Sequence, residues 1–170
     1  KDDTSFNEAF ATAVEEEGLA RWLAAQSGTP GHAALVAEAA RGKRLREGFR
    51  QWMREARAEL EALYASGANE AEQRARKAAV FERMRAAYDA AKAGERGLAG
   101  YDRWFAGHDG GGPNNASIVA VALYDDKVPA FRTLLADAGG DLPAFYARVR
   151  ELAAKPKAER DVILGALGGS

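Results

Sequence analysis

Arg44-Leu45-Arg46-Glu47-Gly48-Phe49-Arg50-Gln51-Trp52-Met53-Arg54-Glu55-Ala56-Arg57-Ala58-Glu59-Leu60-Glu61-Ala62-Leu63 is the stretch whose reading decides the fold. Leu45, Phe49, Trp52, Ala56, Leu60 and Leu63 recur at steps of 4, 3, 4, 4 and 3, which is one apolar stripe of an α-helix. Downstream, Phe81, Met84, Tyr88 and Ala91 repeat at 3, 4 and 3. Two such stripes joined by a tight connection predict an antiparallel helical hairpin with a coiled-coil-like seam. The connection is Ser66-Gly67-Ala68-Asn69, with Gly67 suited to a left-handed helix end and Asn69 with Glu72 spaced as a capping box. Thr29 as N-cap and Pro30 in the first turn place the start of the long helix. The hairpin is then expected over residues 30–93, its first helix reaching Ala65 over roughly 50 Å. Gly42 and Gly48 weaken that helix, and a kink is expected near them.

Outward from the hairpin the pattern stays helical. A first helix is predicted from Ser5 to Ala25, with Ser5 and Glu8 as its capping box. Residues 94–113 are glycine-rich and irregular, with one aromatic turn at Tyr101-Asp102-Arg103-Trp104-Phe105. Ile118 to Tyr124 is apolar on every side and predicts a buried helix. Three short helices follow, from Val128 to Ala138, Leu142 to Ala153 and Pro156 to Leu167. The fold class is therefore all-α, a single helical domain over residues 1–170 with a long antiparallel hairpin and a cluster of shorter helices.

Composition narrows the function. The 24 basic and 25 acidic residues give a net charge of −1, which argues against nucleic acid or an anionic membrane as the dominant partner. Cysteine is absent, which excludes disulfides, thiolate metal sites and thiol catalysis. No apolar run reaches the ~18 residues of a membrane span. The chain opens on Lys1 without an initiator Met or a signal-like segment and is expected to be a processed or truncated product.

The chemistry lies in the first helix. At 100° per residue, Phe6, Phe10, Ala13 and Val14 form one apolar stripe. Glu8 and Glu15 stack about two turns apart on the other side, among Ala11, Gly18, Leu19 and Trp22. A helix apolar on both sides predicts a buried carboxylate site, and buried carboxylates must be paired, hydrogen-bonded or bound to metal. Periodicity leaves a plainer reading open, in which Glu8 closes a capping box and Glu15-Glu16-Glu17 is a solvated charge run.

Asn7-Glu8-Ala9-Phe10-Ala11, followed by Val14-Glu15 and Gly18, closely resembles the third-ligand helix of the gluzincins, the aminopeptidase N-like zinc peptidases. More specifically, the chain is similar to the C-terminal half of a bacterial family described as predicted aminopeptidases. The matching pieces are the entry Asp3-Thr4 with Phe6-Asn7-Glu8, the motif Asn114-Asn115-Ala116, the segment Val128-Pro129-Ala130-Phe131, and Gly140-Asp141-Leu142-Pro143-Ala144-Phe145-Tyr146. They extend from Lys1 to about Arg160. The departure is the family's His-Glu-x-x-His helix, which belongs upstream of Lys1 and is not among these residues.

The resemblance implies that Glu8 is the carboxylate ligand of a zinc ion, with Asn7 and Glu15 orienting neighbouring ligands. Zinc in such a site activates a water for attack on a peptide carbonyl, held by two histidines and one glutamate. This chain supplies one of those ligands. The N-terminal part of the same protein is expected to supply the rest, so the chain alone is expected to be inactive. Its two histidines, His32 and His108, lie 76 positions apart in glycine-bearing loops and read as polar surface residues. Gluzincins also use a tyrosine opposite the metal to stabilise the oxyanion, and Tyr124 and Tyr101 are the candidates. Asn114 and Asn115 either cap the helix that follows or line a cleft and hydrogen-bond a peptide substrate. Full-length members of the family resemble periplasmic, membrane-anchored lipoproteins with an N-terminal lipobox.

The basic stretch from Arg41 to Arg57 reads as the wet face of the hairpin, with phosphate or acidic-partner binding as its alternative. The competing function is a non-enzymatic all-α interaction domain. Burial of Glu8 and Glu15 discriminates: two buried, convergent carboxylates favour the peptidase, two solvated ones the interaction domain.

Overall fold

The computed structural model describes residues 3–107, 110–125 and 127–169, and of residues 122–125 the backbone alone. It is all-α, with no strand among the described residues. The helices are α1 (Thr4–Ala25), α2 (His32–Ala65), α3 (Glu70–Gly94), α4 (Asp102–Ala106), α5 (Asn115–Asp125), α6 (Val128–Asp137), α7 (Leu142–Ala153) and α8 (Lys157–Gly168), with a 3₁₀ turn over Arg96–Tyr101. The chain, read above as one domain, packs as two compact units. Unit 1 comprises residues 1–32 and 123–170, and unit 2 comprises residues 33–122.

Unit 2 contains the long antiparallel hairpin. Glu59 pairs with Arg83 and Trp52 meets Tyr88 edge-on, so α3 ascends as α2 descends. Gly67 takes the left-handed conformation at φ 70°, and both halves of the Asn69–Glu72 capping box form. Replacing Asn69 by Ala is expected to cost ~1 kcal/mol in chemical denaturation, with the hairpin retained. Helix α2 runs unbroken through Gly42 and Gly48, and it begins at His32 rather than at Pro30. Thr29 turns its hydroxyl back to the Gln26 carbonyl at 2.7 Å, which closes the turn after α1 instead of capping α2.

The seam keeps Phe49, Ala56, Leu60, Leu63, Met84 and Tyr88 of the predicted stripes and differs by one residue at two places. Met53 is fully buried while Trp52 is half-buried, and Val80 replaces Phe81. Tyr88 and Phe105 stack at 3.9 Å, Phe49 and Tyr101 at 4.1 Å, and these rings close the core under the 3₁₀ turn and α4. The Tyr88 hydroxyl lies 3.0 Å from the Leu98 carbonyl and 2.5 Å from the Asp102 carboxylate. Burial, then that carboxylate, pushes the Tyr88 phenol well above its ordinary pKa. Helix α5 is not buried all round: Ile118 is covered but Val119 is 42% exposed, because only one face meets the hairpin core.

Unit 1 is built on α6, which packs against α1 and α8. Phe131 is fully buried, with Phe6 edge-on at 5.1 Å and Phe10 at 5.9 Å. The cap of α1 is Asp3, not Ser5: its carboxylate accepts from the Phe6 N–H at 3.2 Å. The other carboxylate oxygen takes Arg160 Nη2 at 2.8 Å, and both side chains are buried. Arg160 Nη1 donates to the Lys155 carbonyl at 2.8 Å, so one guanidinium ties the entry of α1 to the chain between α7 and α8.

Candidate functional site

Helix α1 is anchored along one face and open along the other. Phe6, Ala9 and Ala13 are buried in unit 1, with Phe10 and Val14 partly covered beside them. That is the face the apolar spacing predicts. Glu8 and Glu15 lie on the opposite side, and the structure corrects the expectation of burial: both are exposed. Trp22 on the same side is 47% exposed as well. An apolar residue signals a buried face only where another element covers it, and no described element of unit 1 covers this one.

The acidic run of α1 divides sharply. Glu16 takes both nitrogens of a bidentate contact from Arg132, each at 2.7 Å, and Glu17 accepts from Arg21 at 2.7 Å. Glu8 and Glu15 make no ion pair or side-chain hydrogen bond among the described residues. The two carboxylates left without a cation are therefore the two that stack on one side, seven positions apart.

Asn7 is exposed, and with Glu15 it lines a groove between α1 and α7 of about 780 Å³. The walls are Phe10 and Val14 from α1 and Tyr146 and Val149 from α7, with Arg150 at the rim. Sequence reasoning did not single out Arg150. Its signal is the stripe Tyr146, Val149, Arg150 and Ala153, a helical face of spacing 3, 1 and 3 with one cation in it.

Of the remaining candidates, Asn114, Asn115 and Tyr101 belong to unit 2. Asn114 is a helix cap: its Oδ1 accepts from the Ser117 N–H at 3.1 Å. Asn115 donates from Nδ2 to the Tyr64 hydroxyl at 2.8 Å, while its buried Oδ1 has no hydrogen-bond partner. Tyr101 is half-buried on Phe49, and burial raises its pKa despite Arg46 and Arg50 nearby. The Tyr124 side chain and His108 lie outside the described residues. His32 is half-covered at the start of α2. In the loop between α4 and α5, Gly107 at φ 76° admits no Cβ, which would collide with the Gly112 carbonyl oxygen.

Within the basic stretch, Arg41 is committed to Glu38 and Glu95, Arg54 to Glu47, and Arg57 to Glu61. Arg41 and the Gly97 N–H hold the Glu95 carboxyl down to about 2.

The described residues do not form a zinc site on their own. No group of three or more His, Asp or Glu among them could hold a metal ion, and Glu8 offers a single ligand. No helix among them is long and apolar enough to cross a membrane.

Over residues 1–164 the chain matches the family described as putative aminopeptidase, and it belongs to that family. No curated protein and no solved structure matches it.

Proposed function

We propose that unit 1 carries the carboxylate arm of a gluzincin-type zinc aminopeptidase. In this reading Glu8 is the metal's carboxylate ligand, and Asn7 and Glu15 orient the groups around it. The two histidines and the general-base glutamate come from a His-Glu-x-x-His segment outside residues 1–170, the N-terminal part of the same protein. The substrate is a peptide, and the chain by itself is inactive. The periplasmic lipoprotein location implied by the resemblance belongs to the same proposal.

The observation that carries the reading is the selective pairing on α1. Arginines of unit 1 neutralise Glu16 and Glu17 and leave Glu8 and Glu15 free on the open face. A ligand carboxylate free of competing cations is available to a metal, and Glu8 sits on a helix whose other face is anchored in unit 1 through Phe6, Ala9 and Ala13. Exposure of the two carboxylates favours the second reading, a non-enzymatic helical interaction domain. Family membership over nearly the whole chain weighs toward the peptidase.

Zinc titration by calorimetry separates the two. In the protein carrying the His-Glu-x-x-His segment, Glu8→Ala is expected to weaken zinc binding by more than about 100-fold. Glu15→Ala is expected to weaken it by the ~10–100-fold typical of groups that orient ligands. Unchanged affinity in Glu8→Ala leaves only the interaction domain.

A further inference from the structure

Unit 2 carries unspent positive charge where its aromatic core reaches the surface. At ~100° per residue, Lys43, Arg46 and Arg50 of α2 fall within about 60° of one another, so they share one face. Arg46, one turn before Phe49, and Arg50, just after it, are both half-buried. The Phe49 ring carries Tyr101 stacked on it at 4.1 Å, which fixes Tyr101 against this part of α2. The Arg46 guanidinium folds back along the helix, its Nη1 3.5 Å from where a Cβ on Gly42 would stand. It therefore lies over the turn that carries Lys43.

The carboxylates of this neighbourhood are spent on other cations. Arg41 takes Glu38 and Glu95, Arg54 takes Glu47, and Lys92 with Tyr88 takes Asp102. Lys43 and Arg46 make no ion pair or side-chain hydrogen bond among the described residues, and the Tyr101 hydroxyl has no hydrogen-bond partner among them either. Arg46 and Arg50 act on that phenol, but burial outweighs them and holds it above its ordinary pKa. It keeps its proton at neutral pH and is a donor beside the cations.

Donors and positive charge without an acceptor are complementary to an anion. A carboxylate brings one charge and two oxygens. A phosphate brings a charge of about −1.5 to −2 and three strong acceptor oxygens, which matches several cations and a hydroxyl at once. The guanidinium fork fits two of those oxygens. The net charge of −1 over the whole chain does not oppose this, because exposed charges are largely screened beyond ~8–10 Å.

We infer that the Lys43–Arg46 face of α2, with the Tyr101 hydroxyl, binds a phosphate group, carried by a small phosphorylated molecule or by a lipid headgroup. Arg46 is the fork, Lys43 the second charge and Tyr101 the neutral donor, with the field of Arg50 added to theirs. The site lies wholly in unit 2, uses no metal and does not rest on the zinc reading.

The test is calorimetric titration of the 170-residue chain with inorganic phosphate, and separately with acetate, at constant ionic strength. Phosphate is expected to bind with millimolar or tighter affinity, and acetate about tenfold more weakly. Arg46→Gln should weaken phosphate about tenfold and Tyr101→Phe about fivefold, both with unchanged circular dichroism. Arg74→Gln removes an exposed cation of α3 already paired with Glu70, and should leave the affinity unchanged. Sedimentation with phosphatidylcholine vesicles, with and without phosphatidic acid, separates the two sources. Vesicle binding that needs both phosphatidic acid and Arg46 assigns a lipid headgroup, and binding of free phosphate without it assigns a small molecule. No binding in either arm overturns the inference, and so does binding that Arg46→Gln leaves unchanged or that Arg74→Gln weakens equally. Equal binding of acetate and phosphate also overturns it, and makes the face a surface for acidic side chains.

Discussion

Replacing Phe131 by Ala is expected to lower the stability of unit 1 by about 3–5 kcal/mol. The ring is fully buried on α6, and it is the surface on which Phe6 and Phe10 of α1 rest. Its removal leaves a cavity that neither ring can fill without leaving a favoured aromatic geometry. Because the chain packs as two units, the loss should be read locally. Hydrogen exchange should lose protection in α1, α6 and α8 and keep it in α2 and α3. A loss below about 1 kcal/mol would show that Phe131 is not the keystone of this core.

The second large effect is expected at Asp3. Asp3→Ala removes a helix cap and strands a buried arginine, and the cost of an unpaired buried charge is ~3–5 kcal/mol. Asp3→Asn keeps an acceptor for the Phe6 N–H and loses only the negative charge, so it should cost less. The pH dependence follows from the same contacts. Burial pushes the Asp3 carboxyl up, but the hydrogen bonds from Arg160 and the Phe6 N–H outweigh it and hold the group below its ordinary pKa. A carboxylate held low in the folded state contributes stability above its unfolded pKa of ~4, and that stability is lost as the pH falls through the lower folded value. Acid titration of unfolding should therefore show a drop below about pH 4 that is reduced in Asp3→Asn. Identical acid limbs in the two proteins would assign the drop to other carboxylates.

The sequence was legible where the interactions are short in range. The Asn69–Glu72 box and the left-handed Gly67 each depend on residues within four positions, and both formed. It misled where a distant partner decides. Asp3 outcompetes Ser5 as the cap of α1, and it is held in place by Arg160, 157 positions away. The seam differs by one residue at two places because Trp52-Met53 and Val80-Phe81 each set two apolar residues side by side, and only the facing helix selects between them. In the candidate site, the stacking of Glu8 and Glu15 follows from helical period alone. Their exposure does not, since it depends on what covers the helix. The freedom of Glu15 beside the committed Glu16 and Glu17 was equally hidden, because it depends on where Arg21 and Arg132 fall in space.

That division of α1 has an evolutionary consequence. The residues that hold the helix in place, Phe6, Ala9 and Ala13, and the residues that face outward with free carboxylates, Glu8 and Glu15, are disjoint sets on one rigid scaffold. Exposed substitutions away from caps and pairs change stability by only ~0.5 kcal/mol or less. Selection for a folded chain is therefore nearly blind to positions 8 and 15 and strict at 6, 9 and 13. The outward positions can drift, or acquire a new chemistry, without a folding penalty. Where glutamate persists at them across descendants, what it records is selection for something other than the fold.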